Sequence, residues 1–219
     1  KIDFPDEANW QKYQARGGKL DRSDWRRSQV NAFIEAVGRE IKRIKPDVVY
    51  GISPFGIWQP MPELGIAGFN AYAELYADAR KWFMDGTLDY FVPQLYWPIA
   101  RTDVSFPILL DWWVKQNTKG RALYAGLIPN NVADTRWAGD EIVGQIYITR
   151  ANDRAHGHVH FSMRGLMPGG AFTRIPGADT LAPAVIDSMN RVRARTQVRR
   201  DSMTAKLARE TYAQPALIP

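Results

Sequence analysis

The chain has 219 residues, 45% of them hydrophobic and 24% charged, with a formal net charge of +6 and no cysteine. That supplies enough apolar material for one large core. It excludes disulfides and thiolate chemistry, and no run approaches the ~20 apolar residues of a membrane-spanning helix.

Lys1-Ile2-Asp3-Phe4 opens the chain without a start methionine or a secretory leader, so a processed or fragmentary N-terminus is expected. The first 20 residues are polar and read as loop, with Gly17-Gly18 as a turn. Ser23 is placed to cap a helix running to about Ile44, since Phe33, Ile34, Val37, Ile41 and Ile44 recur at three- and four-residue spacing. Lys45-Pro46 ends that helix, because the residue before proline is pushed out of helical geometry. Residues 48–53 then read as a short buried strand, followed by a Pro/Gly-rich loop from Pro54 to about Gly68.

A second helix is expected over Ala71 to Met84, closed by Asp85-Gly86, and a second strand over Asp89 to Leu95. Ser105-Phe106-Pro107 has the form of a cap with proline in the first turn, opening a helix to about Asn117. The adjacent Trp112 and Trp113 inside it read as packing residues. Ala122 to Leu127 is the third strand, Gly139 to Arg150 the helix behind it, and Val159 to Met163 the fourth strand. A Gly/Pro-rich loop from Gly165 to Gly177 leads to a basic helical region, and residues 215–219 leave in extended form. In that region Arg191, Arg193, Arg195, Arg199, Arg200, Lys206 and Arg209 read as a solvated helix face. No nucleic-acid-binding module accompanies them, so nucleic acid is not an expected partner.

Helix, then strand and helix in repetition, implies a parallel α/β sheet with crossover helices. Four units are too few for a closed barrel of eight strands, so the pattern fits either a small open sheet or half of a barrel. In both, function sits at the carboxyl ends of the strands. The first strand delivers Ser53, Phe55 and Trp58 there, the second Gln94, Tyr96 and Trp97, the third Asn131, and the fourth Ser162. Rings beside hydroxyl and amide groups suit a sugar, whose C–H faces stack on aromatics and whose hydroxyls need aimed donors and acceptors. The competing reading is that the aromatics pack under loops.

None of these strand ends carries a carboxylate, although glycoside hydrolysis ordinarily needs two. Loop acids are the remaining candidates, Asp3 and Asp6 before the first helix being the better placed. His158 and His160 share a strand face without further ligands, so neither a metal nor a cofactor is expected. No nucleophile elbow, phosphate loop or dinucleotide fingerprint is present.

Several segments together resemble one bacterial family. They are Asp3-Phe4-Pro5-Asp6, Asp24-Trp25-Arg26-Arg27 with Val30-Asn31, Gly51 through Trp58, Tyr72 with Leu75-Tyr76-Ala77-Asp78, and Pro93 through Pro98. Asp111-Trp112-Trp113, Leu123 through Gly126, His160 through Met163, and Tyr212 through Pro219 continue the match in order. The chain resembles the bacterial glycosyl hydrolase-like family 10. That resemblance implies a (β/α)8 TIM barrel, of which this chain supplies about the last four β/α units as a single domain over residues 1–219. It implies action on envelope glycan strands of the peptidoglycan type, a cell-envelope location with an N-terminal lipid anchor for membrane attachment, and an N-terminal half of the same barrel as partner. It further implies catalytic carboxylates upstream of Lys1 and a β-sandwich module after the closing segment. The stretch over residues 164–211 departs from the family as an expanded loop and basic helix. A non-catalytic glycan-binding or scaffolding envelope protein is the alternative reading.

Overall fold

A computed structural model describes residues 3–167 and 180–213. The expected loop over residues 165–177 therefore lies mostly, and the extended segment over residues 215–219 wholly, outside the described residues. Four parallel strands form one sheet in the order β1 (Gly51–Ile52), β2 (Tyr90–Phe91), β3 (Ala122–Leu127) and β4 (Gly157–His160). The register pairs Gly51 with Tyr90, Phe91 with Leu123, and Tyr124 with Gly157. Sequential parallel strands with helices between them make this four consecutive units of a TIM-barrel-type α/β fold.

The core lies between the sheet and its helices. Phe91, Leu123, Ala125 and Leu127 turn one face of the strands toward α4 (Ala79–Asp85), α5 (Phe106–Gln116) and α6 (Glu141–Arg150), and all four are fully buried. Phe83 stacks on Phe91 with ring centroids 4.5 Å apart, and Phe91 meets Trp113 at 4.9 Å. The opposite, inner face carries Tyr90 edge-on to Tyr124, then Val159 and Phe161, the last two exposed.

Several elements differ from expectation for local reasons. Residues read as loop form α1 (Glu7–Ala15), which buries no residue and so has no apolar stripe to reveal it. It is held by Trp10 and Tyr13 against Trp25 and by the Arg22–Glu7 ion pair. Helix α2 (Arg22–Ile44) is capped two residues before Ser23, where the Asp21 side chain accepts from the Asp24 N–H at 2.8 Å. Its expected stripe is only partly packed, because Phe33 and Ile44 are mostly exposed.

The single helix expected over 71–84 is two, α3 (Ala71–Glu74) and α4, each with its own side-chain cap, from Asn70 and Asp78. The break falls at Tyr76, whose φ of 55° no helix tolerates. β4 starts two residues early, and Met163 lies in a 3-10 turn after it.

α7 (Pro183–Lys206) is basic as expected, but part of it does more than meet solvent. Arg199 donates to the Val132 and Trp137 carbonyls at 2.9 and 2.7 Å, clamping the 3-10 segment that follows β3. Among the described residues, no helix is long and apolar enough to cross a membrane.

Candidate functional site

At their carboxyl ends the strands stay in register beyond their formal limits. Gln94 bridges Phe55 on one side and Gly126 on the other, so three strand ends meet in one row. Two glycines permit the approach. A Cβ on Gly56 would stand 2.2 Å from the Gln94 carbonyl oxygen, and one on Gly126 2.7 Å from that of Pro93. Since a backbone oxygen cannot swing aside, Gly56→Ala is expected to cost about 2 kcal/mol or more in a denaturant titration, while a change within error would show that the row is loose.

Ser53, Phe55 and Gln94 come together on the inner face. The Gln94 amide nitrogen donates to the Ser53 carbonyl at 2.8 Å. Rotating the amide would set two oxygens against each other, so Oε1 is fixed outward, where no described residue donates to it. Tyr96 stacks on Phe161 with centroids 6.1 Å apart, and burial raises its phenol above the ordinary value.

The two tryptophans are fastened into the scaffold. Trp58 donates to Asp78 Oδ1 at 3.1 Å, stacks on Trp112 at 6.0 Å, meets the edge of Tyr72 and lies beneath the Arg80 guanidinium. Trp97 is half-buried, and its carbonyl accepts from Gln145 at 3.0 Å. Glu141, buried at the start of α6, accepts from that same amide and from the Ile99 N–H. This Glu–Gln pair pins the segment that follows Tyr96. Asn131 sits in the 3-10 segment after β3, and Ser162 after β4 across a cis Phe161–Ser162 bond; both are half-buried.

Asp3 and Asp6 stand apart from this row. Arg26 approaches Asp6 with Nε at 2.7 Å and Nη2 at 2.8 Å, and Arg22 adds a contact at 2.5 Å. Arg26 also reaches Asp3 at 3.0 Å and the Tyr76 hydroxyl at 2.5 Å, which ties the turn at Tyr76 to α2. Hydrogen bonds from Arg26, then Arg22, hold the Asp6 carboxyl well below the usual range against the opposing effect of burial; Asp3 is lowered by Arg26 as well. A carboxylate gripped in this way is a poor proton donor and a firm anchor. The groove beside it, about 1250 Å³, is lined by α1, α2 and the segment around Tyr76.

His158 and His160 lie on the helix side of β4. Their Nε2 atoms converge on the Tyr212 hydroxyl at 2.6 and 2.7 Å. One hydroxyl proton serves one ring, so the other ring donates its own N–H to the phenol oxygen, and both Nδ1 atoms are buried without a partner. Burial lowers both imidazoles to about 4, and for His158 the charges of His160 and Arg150 add to it. Among the described residues no group of three His, Cys, Asp or Glu side chains is placed to hold a metal.

A sequence profile described as Glycosyl hydrolase-like 10 matches residues 2–141. The chain belongs to the glycosyl hydrolase-like 10 family. It is 37% identical to Glycosyl hydrolase YngK of Bacillus subtilis over 175 residues, which is 75% of this chain and 34% of that protein. It is 41% identical to Glycosyl hydrolase DigH of Escherichia coli K12 over 122 residues, 52% of this chain and 28% of the relative. The chain thus spans about a third of the length of these curated relatives.

Within this family member, sequence reasoning overlooked Phe69 and Phe161, the exposed partners of Phe55 and Tyr96. It also overlooked Arg26 and the Glu141–Gln145 pair. An i, i+4 Glu–Gln spacing at the start of an apolar helix was the available signal for the last of these.

Proposed function

We propose that this chain forms the substrate-binding wall of a glycoside hydrolase acting on amino-sugar polymer of the bacterial envelope, with peptidoglycan-type glycan strands as the substrate. The observation that carries this is the neutral row of Ser53, Phe55, Gln94 and Tyr96 at the carboxyl ends of a barrel-type sheet in a glycosyl hydrolase-like chain. Rings and amides bind sugar there, and no described strand end offers a carboxylate.

The acid and its partner carboxylate for an oxocarbenium-like transition state then come from residues outside this chain. Apolar groups along both sheet edges, Val49 beside β1 and Val159, Phe161 and Met163 at β4, are exposed. Further β/α units of the same barrel cover these edges in our reading. An envelope location follows from the substrate, with membrane attachment through a lipid anchor.

The test is digestion of purified, peptide-free glycan strands by the full-length protein, followed by separation of the products by length. Shortened strands with new reducing ends are expected. Strands that are bound but keep their length distribution favour a glycan-binding protein, and strands neither bound nor cut end the reading.

A further inference from the structure

The loop between β1 and α3 is long, yet it is tied down throughout. Met61 and Ile66 exchange backbone hydrogen bonds at 2.8 and 3.0 Å, the Ala67 N–H reaches the Asp103 carbonyl at 2.8 Å, and the Tyr72 N–H reaches Trp58 at 3.0 Å. Its apolar side chains Ile57, Met61 and Ile66 are buried to within 3%. Phe55 and Phe69 are not. Each is 43% exposed, and they lie against one another with centroids 5.1 Å apart. Gly68, at φ +124°, turns Phe69 outward, and a side chain at Gly68 would strike Ile57 at 2.9 Å. A firmly held loop that buries Ile57, Met61 and Ile66, leaves Leu64 at its rim and keeps two rings in water has formed a surface rather than failed to bury one.

What lies beside the rings identifies the occupant. Phe55 and Gln94 are bridge partners, so their side chains share a face at the strand spacing of ~4.8 Å. The free Gln94 Oε1 is an acceptor that seeks an N–H or O–H, and no charged side chain belongs to the row of Ser53, Phe55, Phe69, Gln94 and Tyr96. A neutral ring with an apolar face and an amide N–H on its edge meets both conditions.

We infer that Phe55 and Phe69 form a stacking platform for a 2-acetamido-2-deoxy pyranose whose acetamide N–H donates to Gln94 Oε1. This makes Phe69 a substrate-binding residue and Gln94 the acceptor for the donor on C2 of the sugar. The inference rests on the glycan-binding reading above and adds a platform residue and a hydrogen-bond acceptor to it.

The experiment is calorimetric titration of the full-length protein with chitopentaose and with cellopentaose, which differ at the acetamide. The unaltered protein is expected to bind chitopentaose. Phe69→Ala should weaken both ligands about tenfold, in line with the loss of one aromatic stack, while Phe69→Tyr keeps the ring and the affinity. Gln94→Leu should weaken chitopentaose, because leucine cannot accept the hydrogen bond from C2. Phe69 is exposed, so its variants should match the parent in circular dichroism and melting temperature. If the unaltered protein binds chitopentaose but Phe69→Ala binds it equally well, or Phe69→Tyr loses as much as Phe69→Ala, the platform is wrong and the glycan reading stands. If the unaltered protein binds neither oligosaccharide, the glycan reading fails and the platform with it.

Discussion

Trp113→Ala is expected to cost about 4 kcal/mol of stability, the range for removing a fully buried tryptophan from a close-packed core. The indole lies at 0% exposure among Phe83, Phe91 and Trp112. It also donates its N–H to the Gly56 carbonyl at 2.8 Å. The helix-side core and the row at the strand ends therefore share one side chain. Trp113→Phe separates the two contributions. It retains most of the packing but leaves a buried carbonyl unpaired, for a smaller loss of about 1–2 kcal/mol. Both are read from denaturant midpoints at constant slope. Losses below ~1 kcal/mol for the alanine variant would show that the core does not depend on this ring.

A second large effect is expected from acid. His158 and His160 are held at about 4 in the folded protein, against an ordinary 6.5 in the unfolded chain. A depressed imidazole means that the folded state resists taking up protons. Stability is therefore full above pH 6.5, falls as pH drops from 6.5 toward 4, and levels off below. A second proton leaves the Tyr212 hydroxyl with no ring nitrogen to donate to and sets two cations with centroids 5.0 Å apart. At 1.36 kcal/mol per unit for each ring, discounted by about half because both are partly exposed, the loss is roughly 3 kcal/mol.

The gripped carboxylates do not confuse this window. Asp3, Asp6 and Asp89 are lowered, so what they contribute is lost only at more acid pH. Denaturation at pH 7, 5.5 and 4.5, compared with the His158→Gln/His160→Gln double variant, checks the expectation. The variant's stability should be flatter across that range, and parallel curves would assign the acid response elsewhere.

The elements legible in the sequence were those whose determinants are local. β3 runs over residues 122–127 as expected, since a short apolar run following Gly120 marks it. α5 begins after Ser105 with proline in its first turn, and α4 ends on a left-handed Gly86. The missed features depend on distant residues. The turn at Tyr76 is held by Arg26, fifty positions earlier in the chain, and no window around Tyr76 contains that information.

The site divides along the same line. The strand pattern put Ser53, Phe55 and Gln94 at the carboxyl end of the sheet, and the structure brings them side by side there. Trp58 read in sequence as either a stacking ring or a packing residue, and Trp112 and Arg80 lie against it from other elements. Phe69 was invisible for the opposite reason. A phenylalanine in a Pro/Gly-rich loop ordinarily packs beneath it, and only the burial of Ile57, Met61 and Ile66 leaves Phe69 outside.

The absence of charge from the row of Ser53, Phe55, Gln94 and Tyr96 bears on how contact with a glycan responds to ionic strength. The cations of this basic protein lie elsewhere, many of them along α7. Attraction of that helix to an acidic polymer would fade as added salt screens it over a Debye length of ~10 Å at 0.1 M. Stacking and amide contacts have no counterions to release, so recognition at the strand ends persists in salt that strips away the nonspecific attraction.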